Sequence, residues 1–340
     1  MSDLTEAQKA TMARHEATIA DKTVEGRSSH WVENVKRNRP TFAKGNPPLQ
    51  GLTAYLVAAG PSLAKNVEAL RDVGRLGVIV AVDASYRFLV ENGITPDYCV
   101  SIDADARMLS MIDGAPTEHT TLIVQASASP ELVAAWKGPR YFLRATGGSR
   151  DMDDKLHAAH RIVRTRRDLK AGTDFEALDD VEVVFAGLNE ALVCGGNVTT
   201  YAHSFCLSLL KAQRIVFVGA DYSWDNADES GAFYAGAAHK KMGEERQAAE
   251  RAFSHPVLVV DGKAGLPLST NYTMFSFKKW HEDLAAMHPG HCVNATEGGI
   301  LGVGQKGNLL VGWESMPLAQ AIARFSPVRV AYPKREAVAA

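Results

Sequence analysis

From Leu52 onward, short apolar and β-branched runs alternate with longer stretches of helical periodicity. The runs are Ala54–Ala58, Val78–Val82, Tyr98–Ile102, Thr121–Val124, Val181–Phe185 and Arg214–Gly219, and amphipathic segments such as Leu63–Leu70 separate most of them. A short run that is apolar throughout reads as a strand buried on both faces, and strands alternating with helices build a parallel sheet covered on both sides. The pattern predicts an α/β fold: a Rossmann-like, mostly parallel sheet with helices on both faces. In such sheets ligands bind beyond the carboxyl ends of the strands, so the residues that follow each run are the ones to read for chemistry.

The flanks differ in texture. Residues 1–50 form a polar leader, with a helical extension over Leu4–Ala20 and a linker over Arg37–Pro48; residues 51–325 form the domain, and residues 326–340 a flexible tail. Within the domain, residues 222–268 are rich in Gly, Asp, His, Tyr and Lys, with a polar helix near Lys240–Phe253. A long polar excursion after a core strand predicts a lid insertion. The pattern then returns to a helix over Thr273–Met287, a Gly-rich strand-and-turn section over Val293–Gly304, and a last helix over Met316–Phe325.

Composition narrows the class. The 340 residues, 46% of them hydrophobic, are enough for a sizeable core. A net charge of −2 carries no basic excess for a nucleic-acid partner, and the basic run Arg161–Arg167 reads as a solvated face. No apolar stretch approaches the roughly 20 residues that span a bilayer. Residues 1–20 lack the apolar centre of a secretory signal. Cys99, Cys194, Cys206 and Cys292 have neither paired nor metal-ligand spacing. These features point to a cytoplasmic protein.

Candidate chemistry gathers at the ends of the runs. The first delivers Gly60-Pro61-Ser62 to a helix start, where backbone N–H groups and the helix dipole favour phosphate. An ordinary strand-to-helix turn, with an unusual φ at Gly60 and Ser62 capping the helix, would leave the same signature. The second run ends at Asp83, placed where nucleotide-binding folds hold a ribose, and the third at Asp103 with Asp105 beyond it. Either aspartate alone would serve as a helix cap. Gly195-Gly196-Asn197-Val198-Thr199-Thr200 is a second Gly-rich helix start, and the run Ile215–Val218 leads into Asp221-Tyr222. In the expected lid, His239 beside Lys240 and Lys241 supplies a titratable base and positive charge.

The order of these motifs resembles a known group. GPSL after a strand, AVDASYRFLVENGITPDYCVSID, GGNVTTYAHSFCLSLLKAQRIVFVGADYSW and VNATEGGILGVG together look like the MptE-like family over roughly residues 50–310. That family includes archaeal 6-hydroxymethylpterin diphosphokinases. It also includes the central domain of bacterial motility accessory factors, implicated in moving nonulosonic sugars onto flagellin. VNATEGGI and the preceding DGKAGLPLSTNYTMFSFKKWHED look closer to the motility accessory factors. A fainter similarity extends to bacterial sialyltransferases that use CMP-sialic acid.

Carried onto this chain, the resemblance implies Gly60, Pro61 and Ser62 near the nucleotide phosphate or ribose. Asp83, Asp103, Gly196, Asn197 and Thr199 would face the nucleotide, and Asp221 and Tyr222 the donor sugar, with His239 as the lid base. The spacing of His239 departs from the sialyltransferase pattern, and aspartates stand where those enzymes have asparagines.

The resulting expectation is a transferase moving a nonulosonic acid from a CMP donor to a protein or glycan hydroxyl, with no cofactor. Its partners would be the sugar donor and the acceptor, with no nucleic acid, and a homo-oligomer is left open. Two alternatives stand beside it. One is a magnesium-dependent pterin diphosphokinase using ATP, with Asp103 and Asp105 on the metal. The other is a non-catalytic nucleotide- or sugar-binding protein in glycan assembly.

Overall fold

A computed structural model describes residues 30–38 except 32 and 36, 49–146 except 75, 191–224, 258–261, 267–304 and 307–326, together with Glu6 and Ala10. The expected strand at Val181–Phe185, the basic run, most of the lid with His239, all of the leader helix but Glu6 and Ala10, and the tail beyond residue 326 lie outside the described residues.

The predicted runs that fall among the described residues form strands. They are β1 (Thr53–Val57), β2 (Val78–Val82), β3 (Tyr98–Ser101) and β4 (Thr121–Gln125). Further along come β5 (Arg140–Thr146), β6 (Ala191–Val193) and β7 (Arg214–Val218). After these come a hairpin of β8 (Leu258–Asp261) and β9 (Pro267–Thr270), then β10 (Cys292–Asn294) and β11 (Trp313–Ser315). The helices are α1 (Leu63–Val73), α2 (Asp83–Glu91), α3 (Pro130–Ala135), α4 (Val198–Ser208), α5 (Tyr272–Met287) and α6 (Leu318–Phe325). Nine strands pair in the order β11-β10-β7-β1-β2-β3-β4-β5-β6, and every pairing is parallel.

Strand order reverses at β1. Successive strands β2 to β6 run to one side of it, and β7, β10 and β11 to the other. A reversal of this kind splits the loops at the carboxyl ends and opens a crevice between β1 and β7. Alternate residues of β1 feed separate cores. Tyr55 and Val57 pack with Leu63, Val67 and Leu70 of α1 and with Leu318 and Ile322 of α6. Ala54 and Leu56 pack with Tyr201, Phe205 and Cys206 of α4 and with Trp313. A period of two therefore places every second side chain on the opposite face. Because both faces are covered, the runs lack the polar alternation of a half-exposed strand.

The leader contributes more than a tether. The described residues between 30 and 38 are helical, including Arg37 and Asn38, where a linker was expected. Asn34 is fully buried, and its amide donates to the Ala104 carbonyl at 2.9 Å and the Ser127 carbonyl at 3.1 Å. Four residues on, Asn38 donates to the Ala126 and Ala128 carbonyls, both at 2.8 Å. Two amides one helical turn apart thus satisfy carbonyls in the loops after β3 and β4, which pair with no neighbouring strand. Asn34→Ala strips the buried Ser127 carbonyl of its donor and leaves the Ala104 carbonyl with His30 Nε2 alone. It is expected to lower unfolding free energy by about 2 kcal/mol, read as a lower urea midpoint at unchanged slope.

Candidate functional site

A cleft of about 380 Å³ lies at the carboxyl ends of the strands. Its wall is built from the segment following each central strand. These are Ala58–Gly60 after β1, Asp83 after β2, Ile102–Ala104 after β3, Gln125 at the end of β4, Gly196–Thr199 at the start of α4, and Gly219–Tyr222 after β7. Trp31, Met108, Met111, Met274 and Phe277 supply an apolar side.

The Gly-Pro-Ser turn does a different job from the one expected. Gly60 does not adopt a positive φ; its place is fixed by crowding. A Cβ there would collide with the Asp221 carboxylate and lie 2.5 Å from the Gly219 carbonyl oxygen. Ser62 occupies the N-cap position of α1, but its side chain caps nothing in the helix. Its hydroxyl donates to Asp221 Oδ2 at 2.8 Å, and its backbone N–H reaches the same oxygen at 3.3 Å. The Gly60 N–H donates to the Gly219 carbonyl at 2.7 Å, and the Leu63 N–H to the Gly60 carbonyl at 3.0 Å. The anion at this helix start is the chain's own Asp221. Pro61 and Ser62 stand behind the cleft wall rather than in it.

Asp221 is enclosed from the other side by the motif VNATEGGI. The Asp221 carbonyl accepts from the Ile300 N–H at 2.9 Å. A Cβ on Gly299 would strike the Asp221 backbone, and one on Gly298 would lie 3.0 Å from its Oδ1. Beneath it, the Thr296 hydroxyl accepts from the Ala220 N–H at 3.1 Å, and Asn294 accepts from the Thr296 N–H at 2.8 Å. Three separate sequence motifs therefore pack into one junction. Burial pushes the Asp221 carboxyl up to about 6, against the hydrogen bonds from Ser62, which pull it down.

Asp83 is the first residue of α2, which follows β2 with no intervening loop. An acid there suits the positive end of the helix, and Oδ1 accepts from the Ala84 N–H at 2.8 Å. Asp103 lines the cleft and accepts from the Asp105 N–H at 3.1 Å. Asp105 is not among the lining residues: it caps the turn at Ala106–Met111 and pairs with Arg107.

The start of α4 is the better prepared anion site. Gly196 takes a φ of 104°, open to glycine and strained for other residues. Asn197 caps the helix by accepting from the Thr200 N–H at 2.9 Å, and the Thr200 hydroxyl reaches back to the N–H groups of Gly195 and Asn197. The N–H groups of Val198 and Thr199 make no hydrogen bond within the described residues, whereas that of Gly196 is turned to the Cys194 thiol. Val198 lines the cleft. Gly196, Asn197 and Thr199 thus form one wall of the cleft.

Tyr222 holds a φ of 54°, uncommon for a bulky residue. The Thr270 hydroxyl fixes it by donating to its carbonyl at 2.7 Å. Its own hydroxyl lies 2.7 Å from Nε2 of His281, a fully buried ring on α5. His203, on α4, stands behind: the two Nδ1 atoms are 2.9 Å apart. Most histidines read as surface or cap residues from the sequence, and these two do not. A histidine inside the apolar run YAHSFCLSLL was the available signal for one of them. Met274 and Phe277, three apart on α5, were likewise readable only as core.

Solved structures share this fold. The MAf glycosyltransferase from Magnetospirillum magneticum AMB-1 is 13% identical, with a TM-score of 0.55. The match covers 86% of this chain and 38% of that one, so the chain spans well under half of that protein's length. No curated protein matches. The family model described as 6-hydroxymethylpterin diphosphokinase MptE-like matches residues 29–227, from the helical segment bearing Trp31 and Asn34 through β7 and the Asp221-Tyr222 corner that follows it. With more than half of its length matched, the chain belongs to the MptE-like family.

Proposed function

We propose that this chain is a nucleotide-dependent glycosyltransferase that moves a nonulosonic acid from a CMP donor to a protein or glycan hydroxyl. The observation that carries the reading is the facing of two elements across one cleft. On one side stand the unengaged N–H groups at the start of α4, and on the other the Asp221-Tyr222 corner after β7. Phosphate is already a fair leaving group, so stabilising its developing charge is the main catalytic task. The Val198 and Thr199 N–H groups perform it, with the dipole of α4 behind them. The apolar side, with Trp31 and Phe277, stacks the base. Asp221 and Tyr222 border the sugar, and His239 takes the proton from the acceptor hydroxyl. The fold shared with the MAf glycosyltransferase supports this reading.

A second reading has its own observation. The cleft is lined by Asp83, Asp103 and Asp221, and by no Lys or Arg among the described residues. Magnesium commonly rests on one or two carboxylates plus substrate phosphates. Asp83 and Asp103 offer that donor set, although among the described residues no group of three or more acidic, His or Cys side chains is arranged for a metal. Magnesium held there would neutralise the phosphates of ATP in a pterin diphosphokinase, the activity that the family description names.

Thermal shift of the full chain with CMP, ATP and GTP, each with and without magnesium, separates the two. The transferase reading expects CMP to stabilise without metal, by about 2.7 kcal/mol at a hundredfold excess over Kd. Stabilisation by ATP only with magnesium would overturn it in favour of the kinase. Tight nucleotide binding with no transfer to any acceptor would favour a binding protein. In the same preparation, His239→Ala is expected to abolish transfer while nucleotide binding persists, and normal transfer would remove His239 from the mechanism.

A further inference from the structure

A line of four side chains runs from the interior to the cleft: Cys292, His203, His281 and Tyr222. Cys292 Sγ lies 3.5 Å from His203 Nε2, His203 Nδ1 is 2.9 Å from His281 Nδ1, and His281 Nε2 is 2.7 Å from the Tyr222 hydroxyl. The two imidazoles stack, with centroids 5.1 Å apart, and are closed in by Phe217 and Trp280. Both rings are buried to 1% exposure or less. Such burial holds them neutral, His203 down to about 3 and His281 well below the ordinary value. Cys292 remains a thiol, pushed up to about 12.

Neutrality restricts the hydrogen bonds. Each imidazole carries one N–H, and the short Nδ1–Nδ1 contact needs one hydrogen between two like atoms. The line therefore has two consistent directions. Running inward, Tyr222 donates to His281 Nε2, His281 Nδ1–H donates to His203, and His203 Nε2–H donates to the Cys292 sulfur. Running outward, the Cys292 S–H donates to His203 Nε2, His203 Nδ1–H donates to His281 Nδ1, and His281 Nε2–H donates to the Tyr222 oxygen. In the outward direction the Tyr222 hydrogen is released toward an acceptor in the cleft. Successive donors along such a line also polarise one another.

We propose that a phosphoryl oxygen of the bound nucleotide is that acceptor, and that His281 and His203 are positioning residues which make Tyr222 a hydrogen-bond donor to it. The proposal rests on the nucleotide reading above but is independent of which nucleotide is used. During chemistry the phenol O–H and the imidazole N–H groups only donate hydrogen bonds and no proton changes owner. When binding turns the line outward, the phenol hydrogen passes to His281 Nε2, and the hydrogen between the Nδ1 atoms passes from His281 to His203. The His203 Nε2 hydrogen passes to the Cys292 sulfur, which loses its own hydrogen to water while the phenol regains one from water in the cleft. The α4 N–H groups and Tyr222 then address phosphate from the two sides of the cleft.

Nitrogen NMR of the full chain labelled with ¹⁵N-histidine distinguishes a bare ring nitrogen from an N–H, and so reads the direction of the line. CMP, and ATP with magnesium, are the probes, with cytidine as the phosphate-free control. The expected result is that a bound phosphate-bearing probe sets His281 as the Nε2–H tautomer and His203 as Nδ1–H, whereas cytidine does not. Tyr222→Phe should weaken that probe about tenfold and leave cytidine unchanged. His281→Phe should reproduce the loss, and His281→Gln, whose amide can donate to Tyr222, should restore part of it. If ATP with magnesium gives the tautomer change and CMP does not bind, the CMP reading falls and the relay stands. Tautomers unchanged with either nucleotide bound, or equal loss of CMP and cytidine in Tyr222→Phe, overturn the relay alone. Failure of every phosphate-bearing probe to bind overturns both.

Discussion

Gly60→Ala is expected to destabilise the protein by at least about 3 kcal/mol, because the added methyl has no route of escape. Its nearest neighbours are the Asp221 carboxylate and the Gly219 carbonyl, which belong to the tight junction of β1 and β7. Backbone cannot rotate aside as a flexible side chain can, so one of two things must yield. Either the two strand ends part, breaking the 2.7 Å bond from the Gly60 N–H to Gly219, or Asp221 leaves its two bonds to Ser62. A buried carboxylate without donors adds about 1–3 kcal/mol or more to the packing strain. Gly93→Ala is the control. That glycine takes a φ of 76° in open space, so its alanine variant feels backbone strain alone, at about 1 kcal/mol. Urea unfolding of both variants measures the contrast. If Gly60→Ala unfolds within about 1 kcal/mol of Gly93→Ala, close approach is not what keeps this residue small.

How far the sequence could be read follows from where each signal resides. The inner strands were readable because burial on both faces leaves continuous β-branched runs, and β2 has the predicted bounds. The outer strands were not. β5, RYFLRAT, carries two arginines; β10 and β11 are three residues each, and β10 overlaps only the start of the section read as Gly-rich strand and turn. Periodicity needs more residues than these elements contain. The two Gly-rich helix starts were both visible, but their roles were not distinguishable from composition. Gly-Pro-Ser and Gly-Gly-Asn look alike on paper. What separates them is a carboxylate 159 residues away that reaches Ser62, and no local pattern encodes that contact.

The same distance effect hid the rest of the cleft. Trp31 sits in a polar leader, yet buried asparagine amides bind its helix across the loops after β3 and β4. His203 and His281 are 78 residues apart in the chain and touch only because α4 and α5 pack together. Aspartates at strand ends were readable as a set, while the engagement of Asp105 with its neighbour Arg107 required the fold of the turn that it caps. The site was thus visible as a list of strand ends. Which of those ends carry free donors and which face one another depended on tertiary contacts.

Asp221→Asn is expected to raise thermal stability at pH 8 while impairing ligand binding, a trade that marks a strained functional residue. The carboxyl is 6% exposed, and burial lifts it from the ordinary 3.8 to about 6. A raised acid binds its proton more tightly in the folded chain than in the unfolded one. Its contribution to stability is therefore most favourable below about pH 4, declines as pH rises toward 6, and stays at its lowest value above. The span of roughly two pH units corresponds to about 3 kcal/mol lost at neutral pH. Asparagine removes that titration and keeps an oxygen to accept from the Ser62 hydroxyl and N–H, but its new amide donor must find a partner near Gly298. A net gain of about 2 kcal/mol above pH 6.5 is expected, shrinking to nothing below pH 4. Melting temperatures of both proteins across pH 4 to 8 check the sign: convergence at acid pH with a higher variant midpoint at pH 8 is the expected pattern. A variant less stable at pH 8 would mean that the ionised carboxylate, held by Ser62 at the start of α1, stabilises the junction more than its burial opposes it. In that case Asp221 is a structural anion for the helix, and the negative charge was kept for the fold rather than for the ligand.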